Sequence, residues 1–316
     1  MPKRREAGWL ILTLCMTLCA AGNGADDAQQ SPKPQRILAL SPALAEIVYA
    51  VGAGDRVAGV SQFTTYPPEA AEKPDCGGLF NPNLERILAL RPDLILLQGK
   101  QEKIERLCGE RKIPYEQIEI ETIADIKQAL RRVGRLTGEQ EQAETVCQKM
   151  DQELKQLRQA ADAINPRPRV FIVMSRREGS LAGIATVGGG TFIHEVVETA
   201  GGENIFADQE RYPTISKETL LARQPDVIIE LRPGEEMTDA RRAALCKDWE
   251  PLSALPAVKN GRIEFLTGDS VLMPTPRIVQ TIRKIQQLLI APDSDDADGA
   301  NATNEIQEKT DDAAGN

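Results

Sequence analysis

Residues 85–95 read Glu85-Arg-Ile-Leu-Ala-Leu-Arg-Pro-Asp-Leu-Ile95, and residues 218–228 read Glu218-Thr-Leu-Leu-Ala-Arg-Gln-Pro-Asp-Val-Ile228. Six of the eleven positions are identical without a gap, and each pair lies 133 residues apart. The echo continues at drifting offsets: Tyr66-Pro67 matches Tyr212-Pro213, and Glu46, Val48 and Gly52 match Glu195, Val197 and Gly201. Loop-length changes between two duplicated halves produce such drift, so the chain reads as two related lobes.

Working outward, Ile37 to Leu40 reads as a short buried strand, and Ser41-Pro42 opens a helix with proline in its first turn. Leu44, Ile47, Val48 and Val51 keep helical spacing until Gly52. Further strands are expected at 56–60 and 93–97, with a helix from about Asn83 between them and a strand-and-helix pair over 113–136. In the second half the spacing predicts strands at 169–173, 227–229 and 262–265, a helix over 191–199 and a last helix over 277–289. Short apolar strands alternating with amphipathic helices predict an α/β fold of two Rossmann-like lobes, each a parallel sheet covered on both faces.

Between the halves, Thr137-Gly138-Glu139-Gln140 has the form of a capping box. Behind it Ala143, Val146, Met150, Leu154, Leu157, Ala161 and Ile164 recur at intervals of three and four, the face of a single helix about 40 Å long. Pro166 and Pro168 end it. The expected division is an N-terminal lobe over 35–137, a connecting helix over 138–166 and a C-terminal lobe over 167–290. A heptad dimer is the competing reading, but under four heptads with an alanine-heavy seam speak against it. One stiff crossing permits only modest closure of the lobes.

The chain has 316 residues and a net charge of −9, with eight acids against one lysine over 291–316. That tail reads as disordered, and the mildly acidic body disfavours nucleic acid as a partner. Lys3, Arg4 and Arg5 precede an apolar run from Trp9 to Ala21 that ends in small residues, the order of a cleaved secretory leader over 1–24. Leucine precedes both Cys15 and Cys19, unlike a lipid-attachment signal, so a periplasmic form is preferred to a membrane-anchored one. Export leaves two readings open for Cys76, Cys108, Cys147 and Cys246: disulfides in one of three pairings, or buried free thiols.

Ligands of open α/β sheets bind at the carboxyl ends of the strands, and two facing lobes make a cleft, so an exported chain of this plan reads as a solute receptor. The segments Ile37-Leu-Ala-Leu-Ser-Pro-Ala-Leu-Ala-Glu46, Tyr66-Pro-Pro-Glu69, Asn81 to Asp93, Ala200-Gly-Gly-Glu-Asn-Ile-Phe206 and Pro274-Thr-Pro-Arg277 together resemble the helical-backbone (class III) periplasmic binding proteins of ATP-driven importers for vitamin B12, iron-siderophores and haem. The likeness is greatest to the vitamin B12 receptors. It implies a monomeric receptor without an intrinsic cofactor that captures a corrinoid or ferric chelate and passes it to an ABC-transporter permease dimer in the inner membrane. It also implies ligand contacts from Phe63, Phe80, Gln98, Met174, Arg176, Arg177, Tyr212 and Met273. Where the vitamin B12 receptors carry further tryptophans this chain has Leu79, Gln98 and Ser270. Glu85 and Glu218, the acids that head the internal repeat, match the family's permease-docking glutamates. Near helix starts they would equally complement a helix dipole.

The other signals are weaker. His194 stands in an amphipathic run and reads as packed rather than metal-bound. Gly188-Gly189-Gly190-Thr191 lacks a phosphate-loop lysine and reads as a tight strand-to-helix turn. Haem ligation by Tyr66 or Tyr212 is an alternative, since each tyrosine precedes a proline and is equally a turn residue. An exported carboxylate enzyme is the remaining class, but no Gly-x-Ser-x-Gly and no second histidine are present, and symmetric glutamates do not provide the different environments that acid and base need.

Overall fold

The strands that open the two halves, β1 (Ile37–Ala39) and β5 (Arg169–Ser175), are short apolar runs buried along most of their length. Strands covered on both faces lose the polar alternation of a half-exposed sheet. The computed structural model describes residues 32–290; the leader with Cys15 and Cys19 and the acidic tail lie outside the described residues. Residues 34–290 belong to one compact unit.

After β1 come α1 (Pro42–Ala50), β2 (Val57–Val60), α2 (Pro68–Ala71), α3 (Leu84–Ala89), β3 (Leu94–Gln98), α4 (Glu102–Arg111), β4 (Tyr115–Ile118) and α5 (Ile123–Thr137). Their strands form a four-stranded sheet in the order β2-β1-β3-β4, parallel throughout. Helix α6 (Gln140–Ala161) crosses to β5, followed by β6 (Ile184–Thr186), α7 (Phe192–Ala200), β7 (Glu203–Asn204), β8 (Thr214–Ile215), α8 (Lys217–Arg223), β9 (Val227–Arg232), α9 (Asp239–Lys247), α10 (Pro256–Lys259), β10 (Ile263–Thr267) and α11 (Ile278–Ile290). Here β7, β5, β9 and β10 repeat the parallel order of the first sheet. The second sheet is mixed, however, because β6 pairs antiparallel with β5 and β8 antiparallel with β6, an extension that the two-residue length of β8 kept out of the sequence reading.

The repeated Pro-Asp pair has a mechanical role. The Asp93 carboxylate accepts the backbone N–H groups of Gln35 and Arg36 at 2.7 and 2.8 Å, and Asp226 accepts that of Arg169 at 2.9 Å. In each lobe the aspartate before the second central strand therefore satisfies the orphan amides that lead into the first.

The connector departs from expectation in two ways. Thr137 is not a cap: it is fully buried at the end of α5, its hydroxyl donates to the Val133 carbonyl at 2.8 Å, and Gly138 follows in the left-handed conformation of a helix stop. The hydroxyl thus back-bonds within α5, while the capping box of this region is Thr122 with Asp125 at the start of that helix. Helix α6 accordingly has 22 residues and is about 33 Å long. Its buried face takes Cys147 where Val146 was expected, and Ile164 lies past its end.

One apolar core runs through Leu44 and Ile47 of α1, Ile126 and Leu130 of α5, Leu154 of α6, Ile193 and Val196 of α7 and Ile282 of α11, touching both sheets. A shared core resists independent lobe motion because packed interiors have few low-energy alternatives.

All four cysteines of the described chain are free thiols. Burial pushes Cys76 and Cys108 up to about 11. The native protein is therefore expected to resist iodoacetamide at pH 8 at Cys76, Cys108 and Cys147 and to take up label at these three and at Cys246 after unfolding without reductant. Mass spectrometry showing fewer labels on the unfolded chain would establish a disulfide instead.

Candidate functional site

All four strands of the first sheet end on one cavity of about 570 Å³. Ser41 follows β1, Ser61 follows β2, Gln98 ends β3 and Ile120 follows β4, and Met273, from the loop after β10, brings the other lobe to the same space. Parallel strands leave their carboxyl ends without a covering helix, which is why the opening lies there.

Two phenylalanines stand out into this space. Phe63 and Phe80 are 76% and 87% exposed, and both line the cavity beside Leu79. Phe63 has a φ of 68°, an unusual conformation for a bulky side chain, held by the turn in which the Thr64 hydroxyl donates to the Ser61 carbonyl at 2.8 Å. The polar part of the wall is made of amides and hydroxyls, among them Gln62, Asn81 and Gln98. Gln101 is buried, and its side-chain amide donates to the Gln98 carbonyl at 3.2 Å, fixing the end of β3. Among the described residues, Glu119 and Glu121 are the charged groups of the lining.

Tyr212 approaches from the other lobe. Neighbouring Arg211 pairs with Glu121 at 2.7 Å, and burial together with the Glu121 charge raises the Tyr212 phenol above its ordinary pKa. The glycine run explains how this loop comes so near. The backbone N–H groups of Gly188 and Gly189 donate to the carbonyls of Arg211 and Gln209, and a Cβ on Gly188 would stand 2.3 Å from the Gln209 carbonyl oxygen. Thr191 then caps α7, so the run is a close-packed strand-to-helix turn that seats the Tyr212 loop.

Of the residues expected to meet ligand, the structure brings Phe63, Phe80, Gln98 and Met273 around one cavity; Tyr212 is not in its lining, although its neighbour Arg211 pairs with the lining Glu121. Met174 lies apart, in a polar recess of about 250 Å³ at the ends of β5 and β9, and Arg177 is exposed on the loop beyond β5. Arg176 requires a correction. Its side chain is 0% exposed, its Nε donates to Glu230 at 2.8 Å and its Nη1 to Asp248 at 2.6 Å, and its guanidinium lies 5.6 Å from the Trp249 ring centroid. The guanidinium fork is spent inside the lobe and is not available to a ligand carboxylate.

Sequence reasoning missed Gln62, Asn81, Gln101, Glu119 and Glu121. The two glutamates had a usable signal, since they follow the fourth strand at its carboxyl end; the amides had none, because nothing local distinguishes them from loop residues. His194 faces Asn204, with Nδ1 at 3.4 Å from the Asn204 amide nitrogen. Among the described residues no group of three His, Cys, Asp or Glu side chains is placed to hold a metal.

Glu85 and Glu218 occupy the same place in each half. Both are exposed in the first turn of a short helix, α3 capped by Asn83 and α8 capped by Ser216, and both helices lead into the second central strand of their sheet. Hydrogen bonds from Ser216 and from its own backbone N–H hold the Glu218 carboxyl below the ordinary range.

Residues 37–269 match the family described as periplasmic binding protein. A vitamin B12-binding protein of Pectobacterium atrosepticum is 30% identical over 269 residues, covering 83% of this chain and 92% of that protein. The crystal structure of the periplasmic vitamin B12 binding protein BtuF of Vibrio cholerae superimposes with a TM-score of 0.67 at 29% identity, over 81% of this chain and 96% of that one. A possible iron-binding periplasmic solute-binding protein of Staphylococcus epidermidis superimposes with a TM-score of 0.72 at 25% identity, over 82% and 100%. With its two parallel-cored sheets joined by α6 and a cavity facing both halves, the chain belongs to the periplasmic binding protein family, as a class III member.

Proposed function

We propose that this protein is the exported receptor of an ABC importer, that its lobes over 35–137 and 167–290 hold a corrinoid between them, and that Glu85 and Glu218 present the loaded receptor to a membrane permease. The observation that carries the choice of cargo is the cavity wall: two outward phenylalanines, a fringe of amides and two carboxylates, one of them paired with Arg211 from the other lobe. A corrinoid offers an apolar macrocycle face and a rim of neutral amides, which aromatic rings and amide side chains complement. Haem brings two propionates and ferric catecholates are anionic, and either would set negative charge beside Glu119, whereas the Glu121 charge is already met by Arg211. Tyr66 gives haem no support, since its ring lies 3.7 Å beneath the Arg277 guanidinium and lines a different cavity.

Calorimetric titration with cyanocobalamin, haemin, a ferric hydroxamate and a ferric catecholate tests the reading. Cyanocobalamin is expected to bind with the highest affinity, and Phe63→Ala and Phe80→Ala are each expected to weaken it about tenfold, the loss of one well-packed aromatic contact. Tighter binding of haemin or of the catecholate would overturn the assignment.

A further inference from the structure

The internal repeat pairs Glu46 on α1 with Glu195 on α7, and both carboxylates cross between the lobes. Glu46, 5% exposed, accepts Nε of Arg277 at Oε2 at 2.9 Å and Nη2 of the same guanidinium at Oε1. Arg277 immediately precedes α11, the last helix of the C-terminal lobe. Glu195 accepts the backbone N–H of Ile123 at 2.7 Å, and Ile123 is the first residue of α5, the last helix of the N-terminal lobe. In each direction, the first helix of one lobe thus holds the start of the last helix of the other.

The two contacts use different chemistry for one geometric purpose. The Arg277 contact is a bidentate charge pair, which fixes orientation as well as distance. Burial alone would lower the Arg277 pKa, but hydrogen bonds to Glu46 and Asp269 outweigh it and raise the value further. Glu195 instead meets an amide with no intrahelical partner at the positive end of a helix dipole. The Arg277 side gathers more: its Nη1 donates to Asp269 at 3.0 Å, and its guanidinium covers Tyr66. Asp269 lies on the loop that carries Met273 to the cavity, and Tyr66 lies on the loop that carries Phe63.

We propose that Glu46 and Glu195 are positioning residues, a pseudo-symmetric pair of clasps that set the gap between the two ligand-facing ends of the lobes. The sheets already share a core, which resists separation; the clasps add direction, since each fixes one helix end rather than a face. This inference does not depend on which chelate is carried, and its test uses no ligand.

The full chain is labelled with nitroxides at Glu110→Cys on α4 and Ala243→Cys on α9, in a Cys15→Ser/Cys19→Ser/Cys246→Ser background that leaves only buried native thiols, and distances are read by pulsed electron resonance. The parent is expected to give one narrow distribution. In Glu46→Gln/Glu195→Ala the distribution is expected to broaden about twofold as lobe orientations multiply. Glu153→Gln, which removes the Arg283–Glu153 pair between α6 and α11 at 3.3 Å, is expected to leave it unchanged. Hydrogen exchange supplies a second readout: the Ile123 amide is expected to exchange about tenfold faster in Glu195→Ala. Should the double variant fail to fold, Glu195→Ala and Arg277→Lys are measured singly, with partial broadening expected in each, since lysine keeps the charge but loses the two-pronged contact that fixes orientation. A parental distribution in folded Glu195→Ala or in the double variant, whatever its melting temperature, overturns the proposal, as does equal broadening in Glu153→Gln.

Discussion

Glu230→Ala is expected to lower stability by about 3–5 kcal/mol, the range found when one partner of a buried ion pair is removed. Glu230 lies within β9 with 1% of its side chain exposed, and three neighbours depend on it. Arg176 Nε donates to it at 2.8 Å, the Trp249 indole N–H at 2.6 Å and Arg232 Nη2 at 2.7 Å. Without the carboxylate, Arg176 keeps only Asp248 among carboxylates while remaining wholly buried, and the indole N–H loses its acceptor inside the apolar cluster of Phe171 and Phe206. A loss of that size is a large share of the 5–15 kcal/mol of an ordinary domain. Urea unfolding of Glu230→Ala beside Glu230→Gln measures it. Gln retains one acceptor for the indole and is expected to lose less; equal and small losses in both variants would show that Arg176 is compensated elsewhere.

Glu85→Ala/Glu218→Ala is expected to abolish uptake in cells while leaving cargo affinity and melting temperature nearly unchanged. Both side chains point into solvent and neither lines the cavity, so their removal disturbs neither packing nor ligand contacts. Their equivalence by internal repeat places one on each lobe, the arrangement that a two-subunit permease would meet symmetrically. Truncating one side of a paired interface charge reduces affinity more than tenfold, and two such losses multiply when the sites act independently. Reconstituted uptake of the cargo, measured next to its calorimetric affinity, separates docking from binding. Normal uptake by the double variant would assign these acids to helix capping alone, and a parallel fall in affinity would mean that they shape the cleft.

The two cases differ in how much of them was legible in the chain. Glu85 and Glu218 stand in a repeat of eleven residues, and a local repeat is visible without a fold because each half must build the same helix-to-strand unit. The same reasoning made Asp93 and Asp226 visible, and the backbone amides they accept supply the reason for the repeat. The Thr137 capping box, by contrast, was a local pattern that the end of one helix and the start of another both satisfy; the burial of Thr137 against its own helix decided between them.

By itself the sequence determined the duplicated plan of parallel strands and helices and the long helix between the halves, and its resemblance pointed to Phe63, Phe80, Gln98 and Met273 in the loops after the strands. These follow from periodicity, chain punctuation and resemblance, which act over tens of residues. Only the tertiary structure decided that Arg176 faces inward, that Glu119 and Glu121 give the cavity its charge, and that Glu46 and Glu195 reach across to the opposite lobe. Glu46 meets Arg277 across 231 residues and Glu195 meets Ile123 across 72. The physical reason is that a charged side chain takes its role from whichever partner the packed sheets and helices bring within about 3 Å, and no property of the local chain specifies that partner.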